Sequence, residues 1–162
     1  MPHFANILVA IDFSDGSRRA TKTAIDLARK TGATIQLLSV HDIPIVAAYA
    51  DTDIALGPPG GVVDAFASTR EAQRFRLAEL RDEIIAGGVE AVAHMGEGEP
   101  STTIVTTAED LGADLIVMGT HGRTGLQRFL IGSVAEKVVR NAACPVMTVS
   151  LFDHGAEVAE AS

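Results

Sequence analysis

Asn6 to Ile11 (NILVAI) is a nearly unbroken apolar run, and a short run without alternation marks a strand covered on both faces. After Asp12-Phe-Ser-Asp-Gly16, small and apolar positions recur at Ala20, Thr23, Ala24, Leu27 and Ala28. That is the spacing of one helix face, and Gly32 supplies its stop. Thr34 to Val40 (TIQLLSV) repeats the strand pattern, and two strands joined through a helix run parallel with a right-handed crossover. From His41 to about Val63 the pattern breaks on Pro44, Gly57, Pro58, Pro59, Gly60 and Gly61, which predicts a long irregular surface loop or lid.

Beyond that loop the alternation resumes. A helix over roughly Asp64 to Ala86 stops at Gly87-Gly88, and Val89 to His94 reads as the third strand. Pro100 or Ser101 opens a helix that ends near Gly112, and Asp114 to Met118 (DLIVM) is the fourth strand. Gly132 or Ser133 opens the last helix, ending near Asn141, before a final strand at Val146 to Val149. Five strands alternating with four helices predict an α/β fold: a single-domain, open, doubly wound parallel sheet, Rossmann-like, in the order 3-2-1-4-5 with helices on both faces. The domain spans 1–151, and 152–162 form a polar tail. In such sheets a ligand sits outside the carboxyl ends of the strands, so the residues after each strand are the informative ones.

Composition narrows the setting. Of 162 residues 47% are hydrophobic but only 4% aromatic, so the core must be built from Ala, Val, Ile and Leu. Cys144 is the single cysteine and cannot form an internal disulfide, and the N-terminus shows no secretory signal pattern. No apolar run reaches the roughly 18–20 residues a membrane helix needs. These features predict a cytoplasmic protein without membrane contact. A net charge of −8 without a basic stripe also disfavours nucleic acid as a partner.

One stretch inverts that charge. After the fourth strand, Gly119-Thr-His-Gly122-Arg123 runs on to Gly132-Ser133 with Arg123 and Arg128 and no acidic residue, and a helical pattern follows at once. Strand, glycine-rich loop and helix start make an anion cradle: glycine lets backbone approach phosphate, and first-turn amides of Gly132, Ser133 and Val134 point at it. The loop lacks the Gly-Lys-Ser/Thr ending of a Walker motif, which disfavours fast phosphoryl transfer. Taken alone, the glycines fit ordinary turns as well.

The spacing Gly119-x-x-Gly122, nine residues, Gly132-Ser133 resembles the nucleotide-binding signature of the universal stress protein family. The resemblance extends through ILVAIDFSDGS, LLSVHD, DLIVMGTHGRTG, GSVAEKVV and CPVMTV in the expected order. It implies an ATP-binding member, with ADP or AMP as related ligands. Asp12 would meet the ribose and adenine edge, with Mg²⁺ beside the nucleotide as a further candidate role. Ala10 and Met118 would flank the pocket, Val40 would recognise adenine through its backbone, and Gly119 would border the ribose. Gly122, Arg123, Gly132, Ser133 and Val134 would hold the phosphates. Ala10 stands where some members have Pro. A homodimer through the last strand, Pro145 to Leu151, is also implied, and Met147, Val149 and Leu151 alternate as an apolar row suited to it.

The remaining candidates are weaker. Asp12 could instead bind the amides that open the first helix. Gly96-Glu-Gly98-Glu-Pro-Ser101 falls short of a dinucleotide fingerprint and reads as a turn into the third helix. His41 and His121 form no metal set and read as solvated loop residues, and Cys144 as packing. The functional expectation is a nucleotide-responsive regulator in stress response with an unidentified protein partner, not an enzyme. Slow ATP hydrolysis or phosphotransfer, and an interaction module without nucleotide, are the alternatives.

Overall fold

The computed structural model describes residues 4–42, 61–121 and 131–151. In these segments the chain forms β1 (Asn6–Ala10), α1 (Asp15–Thr31), β2 (Thr34–His41), α2 (Gly61–Ala86), β3 (Ala91–Glu97), α3 (Pro100–Asp110), β4 (Leu115–Gly119), α4 (Ser133–Asn141) and β5 (Val146–Val149). The five strands make one parallel sheet in the order β3-β2-β1-β4-β5, as the alternation predicts.

Residue parity along the strands sorts the core into two layers. Ile7, Val9, Ile35, Leu37, Leu115 and Val117 face α1 and α2, packing with Ala20, Ala24, Ala28, Leu77 and Ile84. Leu8, Leu38, Ile116 and Met118 face α3 and α4, packing with Ile104, Ala108, Ala135 and Val138. Side chains alternate between faces along a strand, so a strand apolar at every position feeds both layers. Alanine at 20, 24 and 28 gives α1 a smooth stripe that lies close on the sheet. Ser14 caps it by accepting a hydrogen bond from Ser17 N, and Gly32 ends it at φ 74°.

Two elements differ from the sequence reading by more than one residue at an end. The helix expected from Asp64 begins at Gly61, directly after the Pro58-Pro59-Gly60 break, because Gly-Val-Val is a weak helix sequence but not a forbidden one for a first turn. The third strand runs from Ala91 to Glu97 where Val89 to His94 was expected. Its length is set by β2, with which it pairs from Ile35↔Ala91 to His41↔Glu97. The rest of the expected lid, residues 43–60, lies outside the described residues, as does the polar tail 152–162.

A polar seam binds the amino ends of the strands. Asp114 accepts from Ala5 N at 2.8 Å and from Asn6 N, and Asn6 Nδ2 donates to Leu111 O at 2.7 Å. Gln36 Nε2 donates to Asn6 Oδ1, and its Oε1 pairs with His94 Nε2 at 2.7 Å, so that ring nitrogen carries the proton. Burial pushes the His94 pKa down, which keeps it neutral in this role. Cys144 packs against the α3/α4 layer, and burial pushes its thiol pKa up, in line with the packing role expected of it.

Candidate functional site at the carboxyl ends of the strands

α1 crosses one face of the sheet to β2 and α3 crosses the other face to β4, so the chain splays apart between β1 and β4. A cleft of about 520 Å³ opens there. Its walls include Ala10, Asp12, Val40, Met118, Gly119, Gly132, Ser133 and Val134, so eight of the ten expected site residues come together. Gly122 and Arg123 lie outside the described residues, together with Gly125 and Arg128. A smaller cleft of about 310 Å³ between α1 and α2, lined by Phe13, Arg18, Lys22 and Leu80 among others, contains none of the expected residues.

The glycines are explained by close approach. A Cβ on Gly119 would stand 2.8 Å from the carbonyl carbon of Gly16, and one on Gly16 would stand 2.8 Å from His121 O. β4 and the start of α1 therefore meet backbone to backbone. Gly132 N donates to Thr120 O at 2.6 Å, and a Cβ there would lie 3.0 Å from the same oxygen. The chain leaving β4 is thereby tied to the start of α4.

Three helices begin around this end of the sheet, and their caps differ. Ser14 caps α1, and Asp12 Oδ1 accepts hydrogen bonds from the backbone N (2.9 Å) and hydroxyl of Ser14. Asp12 thus does brace the entry to the helix, while its side chain also borders the cleft. Glu99 caps α3, accepting from Thr102 N at 2.7 Å and from the Ser101 and Thr102 hydroxyls. The turn expected from Gly96 to Ser101 is this cap, made after Gly98 turns the chain at φ 115°. α4 starts at Gly132, a cap residue without a side chain to bond the first-turn amides, and among the described residues no side chain caps it; Gly132, Ser133 and Val134 line the cleft, so the positive end of the helix dipole borders it.

The Ser101 hydroxyl first, then the Thr102 amide, lower the Glu99 pKa from 4.5 to about 2. Lys137 on α4 lies 3.4 Å from the same carboxylate. A folded-state pKa below the unfolded one stabilises fully above about pH 4.5, and the contribution disappears as pH falls towards about 2. Because the carboxylate is half exposed, Glu99→Ala is expected to cost only about 0.5–1 kcal/mol at pH 7. Urea melts of both proteins should show the gap closing across that acid window; a gap independent of pH would refute the capping role.

Neither histidine is fully solvated, and of the two only His121 lies in a loop, as expected of it; His41 belongs to β2. His41 is part-buried, with Nδ1 3.2 Å from Gln73 Oε1, because β2 extends through it and carries it under α2. His121 shares a 2.9 Å hydrogen bond with Thr120 Oγ1, and its Nε2 is buried with no hydrogen-bond partner among the described residues. Both border the cleft, yet among the described residues no group of three or more His, Cys, Asp or Glu is placed to hold a metal ion.

Gln73, Leu38 and Ile104 also line the cleft and were not singled out from the sequence. Gln73 carried a readable signal: Gln73, Leu77, Leu80 and Ile84 share a helix face, and a polar residue on an otherwise apolar stripe needs internal partners.

The universal stress protein family model matches residues 3–150. A universal stress protein of Methanocaldococcus jannaschii is 37% identical over 147 residues, covering 90% of this chain and 82% of its own. Among solved structures, the hypothetical protein MJ0577, whose biochemical function was assigned from its structure, has a TM-score of 0.79 at 26% identity, covering 94% of this chain and 99% of that one. The universal stress protein from Archaeoglobus fulgidus in complex with dAMP has a TM-score of 0.57 at 26% identity, covering 91% and 98%. Model match, sequence relatives and parallel sheet agree, and the chain belongs to the universal stress protein family.

Proposed function

We propose that the protein binds ATP in the β1/β4 cleft and acts as a nucleotide-responsive regulator in stress response, passing occupancy on to a protein partner. The observation that carries this reading is the amino end of α4, which no side chain caps among the described residues, set across a cleft whose other walls hold Asp12 and Val40. The amides of Ser133 and Val134 would donate to phosphate oxygens, with Gly132, expected to join them but with its own N–H given to Thr120 O, lining the wall beside them; Asp12 and Gly119 would meet the ribose, and the backbone of Val40 the adenine edge, with Leu38, Ile104 and Met118 as apolar cover. Gly122 and Arg123 would complete the phosphate side. The buried Nε2 of His121, without a partner among the described residues, is a further polar atom in the wall for a ligand to satisfy. The dAMP complex of the Archaeoglobus relative supports the adenine nucleotide class.

Binding is favoured over catalysis because no lysine is among the described residues of the cleft to neutralise charge on a transferring phosphoryl group. Mg²⁺ would enter with the nucleotide, with Asp12 as its protein-side carboxylate. β5 lies at the sheet edge with Val146 to Val149 only half buried, which supports pairing with a second copy through that strand. The cytoplasm is the proposed compartment. No helix among the described residues is long and apolar enough to cross a membrane.

Native mass spectrometry tests ligand and assembly together: a dimer carrying adenine nucleotide is expected. ATP at about a hundred times its Kd should add roughly 2.7 kcal/mol of stability and raise Tm by roughly 5–10 °C. Protein that carries no nucleotide and melts unchanged in millimolar ATP would sink the reading.

A further inference from the structure

Gln73 is only 7% exposed, and its amide is held from three sides. The Ser39 hydroxyl donates to Ile11 O at 2.9 Å, so the lone pair on Ser39 Oγ must accept, and it does so from Gln73 Nε2. The same nitrogen lies 3.3 Å from Val40 O, while Oε1 pairs with His41 Nδ1. Turning the amide over would set Oε1 against both the Ser39 lone pair and the Val40 carbonyl, so one orientation is fixed. A single side chain from α2 thus grips the last three residues of β2.

The direction of the Val40 peptide groups shows what that grip controls. Gly98 N donates to His41 O, so the backbone groups of His41 face β3. Ile11 N donates to Leu38 O, so those of Leu38, and of Val40 two residues on, face the β1 side. β1 pairs with β2 only as far as Ala10↔Leu38, so the Val40 N–H and C=O project one step past the ladder, at the cleft. Gln73 takes one lone pair of the carbonyl and leaves the second.

Adenine presents an amine donor at N6 beside an acceptor at N1, whereas guanine presents an acceptor at O6 beside a donor at N1. A donor and acceptor held in fixed order match one purine and oppose the other, and a 40–41 peptide free to turn would withdraw the Val40 carbonyl that the N6 amine needs and lose the preference for adenine. We propose that Gln73 is a positioning residue that sets purine discrimination, clamping the Val40 peptide in the order that accepts adenine and rejects guanine. This rests on the ATP-binding reading above and assigns its selectivity to a side chain outside the glycine signature.

The test is calorimetric titration with ATP and with GTP of the full chain, Gln73→Glu and Ser39→Ala, each first shown to melt cooperatively. Gln73→Glu keeps the shape and removes the donors; Ser39→Ala removes the acceptor that orients Gln73 and stands in if the first variant does not fold. The wild-type protein should favour ATP by about tenfold or more, and both variants should bring the ratio to within about threefold, chiefly through weaker ATP binding. A folded variant that keeps the wild-type ratio, even with both affinities lowered, overturns the clamp, as does a wild-type protein that binds both purines equally. A wild-type protein that binds neither overturns the ATP reading itself, which distinguishes the two failures.

Discussion

Gly119→Ala is expected to lower the unfolding free energy by about 3 kcal/mol, and Gly16→Ala by a similar amount. The added Cβ at 119 would meet three backbone atoms of Gly16, at 2.8, 3.1 and 3.2 Å, and backbone cannot swing aside as a side chain does. Relief requires α1 to lift from β4, which opens the layer where Ala20 and Ala24 pack against the sheet. The two substitutions should be less than additive, because the displacement caused by the first relieves the second. Urea unfolding of both single variants and the double measures this; losses below about 0.5 kcal/mol would show that the contact is softer than described. The first glycine of the nucleotide signature is therefore required by the fold before any ligand is considered, and loss of binding in a Gly119 variant would say little about the ribose.

Ser133→Pro separates ligand from fold at the other end of the signature. Ser133 is the first helical residue after the Gly132 cap, where proline is well tolerated, and Gly132 at φ −62° and ψ 156° already has the extended conformation that a following proline requires. The substitution removes one amide hydrogen from the proposed phosphate cradle and leaves α4 in place. Stability should change by less than about 0.5 kcal/mol, while ATP affinity should drop by about 10- to 100-fold, the equivalent of one hydrogen bond to a charged group. Ser133→Ala, which keeps the amide and removes only the hydroxyl, should bind closer to the wild-type protein. Calorimetric titration of both variants decides this, and undiminished binding by Ser133→Pro would remove Ser133 N from the cradle.

What the sequence showed and what it hid follow from the range of the interactions involved. The strands at Asn6, Thr34 and Leu115 were legible because burial on both faces leaves a continuous apolar run, and strand–helix alternation constrains the topology. Eight of the expected site residues fall along one cleft because a parallel sheet fixes where strand ends lie, and the roles given to them are those the family resemblance implies. Gln73 was missed because its partners, Ser39, Val40 and His41, lie more than thirty residues away, and only α2 packing over the end of β2 brings them together. His41 was misread for the same reason. The double use of Asp12, on Ser14 and along the cleft wall, shows that a local capping role and a site position are compatible in one carboxylate.

The seam at the amino ends of the strands bears on how a growing chain becomes a protein. β1 precedes both of its neighbours along the chain, and β2 follows it shortly. Its other neighbour is β4, whose register partners Leu115 to Val117 lie 108 residues downstream of Ile7 to Val9, and Leu111 and Asp114 must arrive before the backbone N–H groups of Ala5 and Asn6 and the Asn6 side-chain amide find their acceptors. On the ribosome, at roughly 5–20 residues per second, the central strand therefore keeps one open edge for several seconds. The βαβ unit can assemble early, but the sheet closes only when the fourth strand emerges. Until then the unpaired edge of a strand with Ile7, Leu8 and Val9 at its centre is a ready template for pairing with another nascent chain, so the interval between the two halves of the sheet is when the chain is most exposed to misassembly.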